Sequence, residues 1–489
     1  MTRKVWAVIK ETGHYLPERV VPNSYFNDAE FFDSNGEKFK NTKGENEGKE
    51  KTPCEIVDKF EEITGIRNRR WVEEGEDNIH LAIKTARNTL QGTPDCIVVA
   101  HNFGSPKKLG VNLDIVPSIA NGTEHYMGIQ NSNVRAYDLI GSDETLSKVI
   151  PAVSSDSSLV LGRGINSLNR QEVYSAAKKA TEGRDPNTLE SIIVTHDSGR
   201  VECIAERVRE GLGLPLSVLA FDVAGGCPGA LIGSLIVDKM SEMGLVKISL
   251  VEGVETLSRV SDPHDMDRML YSDGGGGVEI HAVESVSPIG IISSAFKTKT
   301  YEHAFLLQMR ESYGPNFAGR EKFLKMDGHK LFELAKSEVG GVMKESLDVV
   351  GLDSRDLNGI IMHQMNGKLM RAIFCNYMLL NGVRSKRVGD DYFFDASKLR
   401  RTLNPGVSES LSTHYGEKDV YTYKELCSVF MPVLIEDMGN NSVATDFVVY
   451  DNLRKGRLKE SPFVRNGLYN FTSVGAGMNI VSLDHKEAA

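Results

Sequence analysis

Two stretches of this chain run through the same order of local patterns, and that repetition restricts what it can fold into. Residues 78–104 (NIHLAIKTARNTLQGTPDCIVVAHNFG) read as an amphipathic helix, a turn and a buried strand ending in His-Asn-x-Gly. Residues 172–199 (EVYSAAKKATEGRDPNTLESIIVTHDSG) give the same order and end in His-Asp-x-Gly. Each is followed by another helix, a Gly-containing turn and a strand carrying Tyr-Asp or Phe-Asp, at 134–139 and 218–223. Helices and strands alternating in this way form βα units, whose strands lie parallel with helices packed against them. An α/β fold follows.

Only the second copy runs on into LAFDVAGGCPGALIGSLIVDKM, residues 219–240. Here an apolar strand meets the small-residue turn Ala224-Gly225-Gly226, then Cys227, then a nearly uncharged helical segment. A helix N-terminus presents free N–H groups and about half a positive charge, which favours a thiolate over a thiol. The first copy instead enters residues 140–169, rich in Ser, Asp and Gly. A fold with one slot for this unit holds one copy, so 78–169 is expected to be the peripheral, duplicated unit.

Composition narrows the function classes. The chain has 489 residues, is 40% hydrophobic and 25% charged, and carries a net charge of −10 without a long basic run. These values suit a soluble acidic enzyme and argue against nucleic acid as a partner. No apolar run approaches the ~18 residues of a membrane span, and the charged N-terminus does not resemble a signal peptide. A cytoplasmic protein without a membrane partner is expected. The six cysteines include no C-x-x-C pair, which argues against a disulfide framework or zinc site. No metal is expected, and cysteine chemistry should be that of a free thiol.

Along the rest of the chain, 5–9 reads as a strand, 23–52 as a polar excursion and 55–62 as a helix. The cationic run Thr64-Gly65-Ile66-Arg67-Asn68-Arg69-Arg70-Trp71 follows, a setting able to hold an anionic group. Strands are expected at 247–254 and 278–283, the latter after a tight turn or close backbone approach at Gly274–Gly277. Residues 323–347 read as a long helix or helix pair, and 359–362 as a strand ending in His363-Gln364-Met365-Asn366. Residues 385–430 read as a polar, irregular insertion. Gly439-Asn440-Asn441-Ser442 opens a helix, with Ser442 or Asn441 as cap. Strands at 468–473 and 478–483 flank Val474-Gly475-Ala476-Gly477. Cys227, His363, Asn440 and the glycine turn thus all fall where strands end, the place ligands gather in open α/β sheets.

These motifs together resemble the β-ketoacyl-acyl-carrier-protein synthase III family of the thiolase superfamily. The matching segments are the Thr64–Arg70 run, Phe221–Gly229, Glu255–Pro263 with Ser272-Asp273-Gly274, His363–Asn366, Gly439–Ser442 and Ser473–Gly477. The resemblance implies a five-layered αβαβα fold of two pseudo-repeated halves, 1–246 with the cysteine and 247–489 with His and Asn, here with a duplicated βα unit and a polar insertion. It implies a homodimer, a role in fatty-acid or polyketide initiation, and no cofactor beyond acyl-CoA and acyl-carrier-protein substrates. Cys227 would take an acyl group from acyl-CoA. His363 and Asn440 would support decarboxylation of a malonyl thioester, giving a carbanion that attacks the acyl-cysteine. Asn366 would orient the histidine, and Arg67, Arg268 and Lys368 would contact substrate or carrier protein.

The chemistry of the residues agrees with those roles. Cysteine suits thioester exchange because its thiolate is reactive and leaves well. A neutral histidine N–H and an amide can hold a developing enolate without supplying an acidic proton. The N–H of Cys227 and one from the Gly475–Gly477 turn would hold the oxyanion of acyl transfer. Lys59 or Phe60 stands where the family's adenine-stacking Trp is expected, and Met266 where a partner Arg is, with Arg268 nearby. A non-decarboxylating acyltransferase and a non-catalytic partner subunit of the same fold are the alternatives.

Overall fold

The computed structural model describes residues 3–43, 46–111, 116–162, 166–389 and 391–488. Its first half contains β1 (Lys4–Tyr15), β2 (Val20–Pro22), α1 (Pro53–Thr64), β3 (Asn68–Arg70), α2 (Asn78–Thr89) and β4 (Cys96–Ala100). It continues through α3 (Ile119–Tyr126), β5 (Arg135–Gly141), α4 (Asp143–Val153), β6 (Ser158–Leu161), α5 (Arg170–Ala180) and β7 (Ser191–Asp197). It closes with α6 (Ile204–Gly211), β8 (Leu219–Ala224), α7 (Gly229–Glu242), β9 (Ile248–Thr256) and β10 (Asp273–Ser285). Apart from the β2–β3 pair, these strands form one sheet in the order β1-β10-β9-β4-β8-β5-β7-β6.

The second half begins with β11 (Gly290–Thr298), the hairpin β12 (Leu307–Arg310) and β13 (Phe323–Met326), α8 (Gly328–Asp348), β14 (Gly359–Met362) and α9 (Gly367–Leu380). A side unit follows, made of β15 (Lys386–Val388), β16 (Asp391–Asp395), α10 (Ala396–Thr402), α11 (Pro405–Tyr415), β17 (Val420–Thr422) and α12 (Tyr423–Phe430). The chain then runs through α13 (Ile435–Met438), α14 (Thr445–Arg454), β18 (Leu468–Val474) and β19 (Asn479–Lys486). The second sheet has the order β11-β19-β18-β14.

Alternation along the strands builds the layers. In β4, Cys96, Val98 and Ala100 join the core formed with α7, α14 and residues of the second sheet such as Phe471 and Leu483. Ile97 and Val99 face the other way, onto α2 and α6. Ile360 and Met362 of β14 pack outward on α8 and α9. The result is helix, sheet, helix, sheet, helix, the five layers expected from the sequence. Gly274–Gly277 lie within β10 rather than in a turn. A Cβ on Gly275 would meet Thr85 of α2, and one on Gly276 would meet Ala444 O, so close approach explains the run.

Three boundaries differ from expectation. The first sheet does not stop at 246, because β9 and β10 complete it before β11 starts the second. Residues 385–430 are not irregular: Phe394, Leu399, Leu411, Tyr421 and Phe430 are buried in the core under α8 and α9. The peripheral unit is not 78–169, because β4 lies between β9 and β8 in the heart of the sheet.

The reason is an exchange of strands between the repeats. β4 pairs parallel with β8 and β9 of the second copy, while β7 pairs parallel with β5 and β6 of the first. Strands β5 and β8 meet antiparallel, with Asp138 opposite Ala224 and Ile140 opposite Asp222. The order β9-β4-β8 therefore continues as β5-β7-β6 about a local pseudo-two-fold. The details repeat: Asp222 accepts from the N–H groups of Ile204 and Ala205 at the start of α6, and Asp138 from those of Ile119 and Ala120 at the start of α3. His101 lies 3.0 Å from Asp222, and His196 lies 3.3 Å from Asp138.

Candidate active site

Cys227 sits just beyond β8, two residues before α7 begins. The approach of two glycine turns puts it there. Gly226 has φ +76°, a conformation glycine adopts without strain. A Cβ on Gly226 would lie 2.5 Å from Ala476 O, and one on Gly475 would lie 2.3 Å from Cys227 N. Backbone thus packs directly on backbone between the end of β8 and the β18–β19 turn. Asn479 fastens them, donating from Nδ2 to Gly225 O and to Ala136 O at 3.0 Å.

His363 follows β14, and its N–H extends the ladder by donating to Thr472 O at 2.9 Å. Asn440 is held between Leu270 and Ser272 by backbone bonds, and its Oδ1 accepts from Ser442 N at 2.8 Å. Its Nδ2 is 3.4 Å from Met365 O. Cys227, His363, Asn440 and Gly475 all line one cavity of ≈ 70 Å³, otherwise walled mainly by apolar side chains including Phe103, Val116, Leu257 and Met326. Two strand ends, a glycine turn and the loop after α13, far apart in sequence, converge here; Asn440 follows that short helix and an isolated bridge to Tyr271 rather than the strand end expected for it.

Burial sets the protonation states. His363 is pushed down to about 3 by desolvation, so its ring is neutral across the working pH range. Burial raises Cys227 to about 11, outweighing a hydrogen bond from Ser442 that lowers it, with the Glu255 and Asp446 charges adding to the rise. The resting nucleophile is a thiol, contrary to the expectation that the helix N-terminus would favour thiolate; in this buried turn desolvation is the larger effect. Glu255 is itself raised to about 7 by burial.

Several contacts were not legible in the motifs. Ser442 Oγ, at φ +51°, donates to Cys227 Sγ at 3.4 Å rather than capping α14. Asn102 Nδ2 reaches Ser442 Oγ at 3.3 Å and Glu255 Oε2 at 3.0 Å, linking the serine to the buried carboxylate. Thr445 Oγ1 lies 2.5 Å from His363 Nδ1 and 2.8 Å from Ser442 O. A hydroxyl has one proton to give. When it goes to Ser442 O, the ring carries its proton on Nδ1 and leaves Nε2 as a base. When it goes to Nδ1, Nε2 carries the proton and is a donor.

Other expected site residues fall elsewhere. Asn366 lines the cavity, but its Oδ1 caps α9 by accepting from Leu369 N at 2.8 Å; Thr445, not Asn366, holds the His363 ring. Gly477 turns with φ +75° against Asn121, while Gly475 makes the approach to Cys227. Arg67 is paired with Glu61 at 3.0 Å and Glu436 at 2.6 Å, so its charge is already met by carboxylates. Arg268 is turned inward, its guanidinium 4.9 Å from the Trp71 ring. Lys368 is exposed, with Nζ 5.4 Å from the Phe332 ring.

A family model for 3-oxoacyl-[acyl-carrier-protein] synthase III matches residues 221–300. A β-ketoacyl-[acyl-carrier-protein] synthase III of Erythrobacter litoralis is 31% identical over 204 residues, covering 40% of this chain and 62% of the relative. The chain thus spans somewhat less than two thirds of the length of that relative. Among solved structures, the 3-oxoacyl-(acyl carrier protein) synthase III of Pseudomonas aeruginosa PAO1 superposes with a TM-score of 0.55 at 17% identity, over 99% of both chains. A variant of Xanthomonas campestris OleA superposes with a TM-score of 0.54 at 12% identity, again over 99% of both. At those identities the structural likeness is one of fold.

Proposed function

We propose that the chain is a condensing enzyme of the β-ketoacyl-acyl-carrier-protein synthase III type that joins an acyl thioester to a malonyl thioester. The observation that carries the reading is the convergence of Cys227, His363 and Asn440 on one cavity. In the first step Cys227 Sγ attacks the thioester carbonyl of an acyl-CoA, and its proton passes to His363 Nε2. The N–H of Cys227 and the Gly475 turn hold the oxyanion, and the departing thiolate takes the proton away. In the second step a malonyl-acyl-carrier protein loses CO2. The resulting enolate oxygen takes hydrogen bonds from His363 Nε2–H and Asn440 Nδ2–H. Its carbon attacks the acyl-cysteine, giving a β-ketoacyl thioester and the Cys227 thiolate, which takes up a proton from solvent to restore the thiol. Loss of one such donor costs ~2.7–4 kcal/mol of barrier.

The two steps separate by mutation. In Asn440→Ala, acylation of Cys227, read by intact mass, should persist while CO2 release from malonyl-acyl-carrier protein falls about 10²–10³-fold. His363→Ala should lose both. If the parent protein acylates Cys227 but releases no CO2 with any short acyl donor, the activity is acyl transfer without condensation. If Cys227 is never acylated, the catalytic reading is wrong.

A further inference from the structure

We infer that the segment from Val116 to β7 is a resident second copy of the half that carries Cys227: it closes the β8 edge from within the chain and supplies Val116 as a wall of the cysteine's cavity. The role of Val116 in acyl selection rests on the condensing reading above; the closure of the edge does not.

The register shows the copy. Asp138 and Asp222 hold equivalent places in β5 and β8, each capping the helix that precedes its strand. Five residues beyond Asp222 stands Cys227; five beyond Asp138 stands Asp143, the first residue of α4. The inserted copy therefore keeps the scaffold and carries no nucleophile at that position. Its strand lies against β8 as a second β8 would across a two-fold, in a symmetric antiparallel register. An unpaired strand of that kind is a template for another chain. Here the template is already filled.

The copy is also built into the site. Val116 lines the Cys227 cavity. The peptide that follows it is held by the insert's own elements: Arg170 of α5 donates to Pro117 O at 2.5 Å, and Ser118 caps α3. Asn121 of α3 pairs with Asn479, the residue that also grips Gly225 O beside the nucleophile. Glu124 accepts from Thr298 Oγ1 at 2.7 Å, tying the copy to the second sheet. One chain thus encloses its own cavity.

Two measurements test this. Light scattering from nanomolar to tens of micromolar protein should give the mass of one chain, 53.9 kDa, throughout, with a Cys227 labelling rate per chain that does not change on dilution. A two-chain mass with labelling that changes on dilution overturns it. For the wall, alkyl methanethiosulfonates from methyl to octyl label Cys227 whether or not the protein uses acyl thioesters, with the site read by peptide mass. Val116→Phe should slow the longer probes at least tenfold and spare methyl; Val116→Ala should speed them. An unchanged profile in both variants, with unchanged melting temperatures, overturns the assignment. Acyl-CoA probes run in parallel isolate the condensing reading: if they label nothing while the methanethiosulfonate profile shifts, that reading fails and the wall stands.

Discussion

At the residue scale the site combines a half-buried thiol with a neutral imidazole. Since Cys227 is raised to about 11, its thiolate fraction grows with pH all the way to that value. Iodoacetamide labelling of Cys227 should therefore rise about tenfold per pH unit between pH 7 and 10, without the levelling expected of a thiol near the ordinary ~8.5. Ser442→Ala removes a donor to the thiolate. A hydrogen bond to a charged group contributes ~1.5–3 kcal/mol, so labelling at fixed pH should fall about tenfold or more. Thr445 governs the histidine. Thr445→Val leaves Nδ1 of a buried ring without a partner, at a cost of ~1–3 kcal/mol. Acylation and CO2 release should both drop, with Thr445→Ser restoring them; equal rates in the valine variant would exclude the coupling. Cys227, His363 and Asn440 were legible because each lies in a distinctive local run, Cys227 and His363 at strand ends and Asn440 in the loop after α13. Thr445 was not, because its bond to His363 joins residues 82 positions apart.

At the element scale the site depends on glycine turns more than on helices. A Cβ on Gly475 would come 2.3 Å from Cys227 N and 2.8 Å from its Cβ, and both neighbours are locked by their own backbones. Gly475→Ala should abolish labelling of Cys227 and lower the melting temperature by several degrees, whereas Gly456→Ala, with open space around it, should cost only the strain of its positive φ. The existence of most strands and helices was readable from periodicity. The failures have a physical pattern. Residues 323–326 looked like the start of a helix but form β13, because pairing with β12 is available only after the hairpin folds. Residues 385–430 looked irregular because their apolar residues are spaced out among charges, and only packing against α9 collects them into a core.

At the scale of the whole molecule the insert explains the length of the chain. A protein in which Gly104 is joined directly to Arg200 restores the His-x-x-Gly-Arg spacing of the second copy while removing α3, β5, α4, β6, α5 and β7. That protein exposes β8. Light scattering should show it shift from the one-chain to the two-chain mass, or associate further, while the parent remains a single chain; a monodisperse single chain after deletion would mean the edge has no tendency to pair. The sequence by itself determined the α/β class, the repeat, and the local motifs that carry Cys227, His363 and Asn440, because periodicity and turn residues are local properties of the chain. Only the tertiary structure decided which copy each strand serves. The two repeats present nearly interchangeable strands, so local pattern is blind to the exchange of β4 and β7. The choice is made by long-range pairing and by the buried His101–Asp222 and His196–Asp138 contacts that each exchange completes.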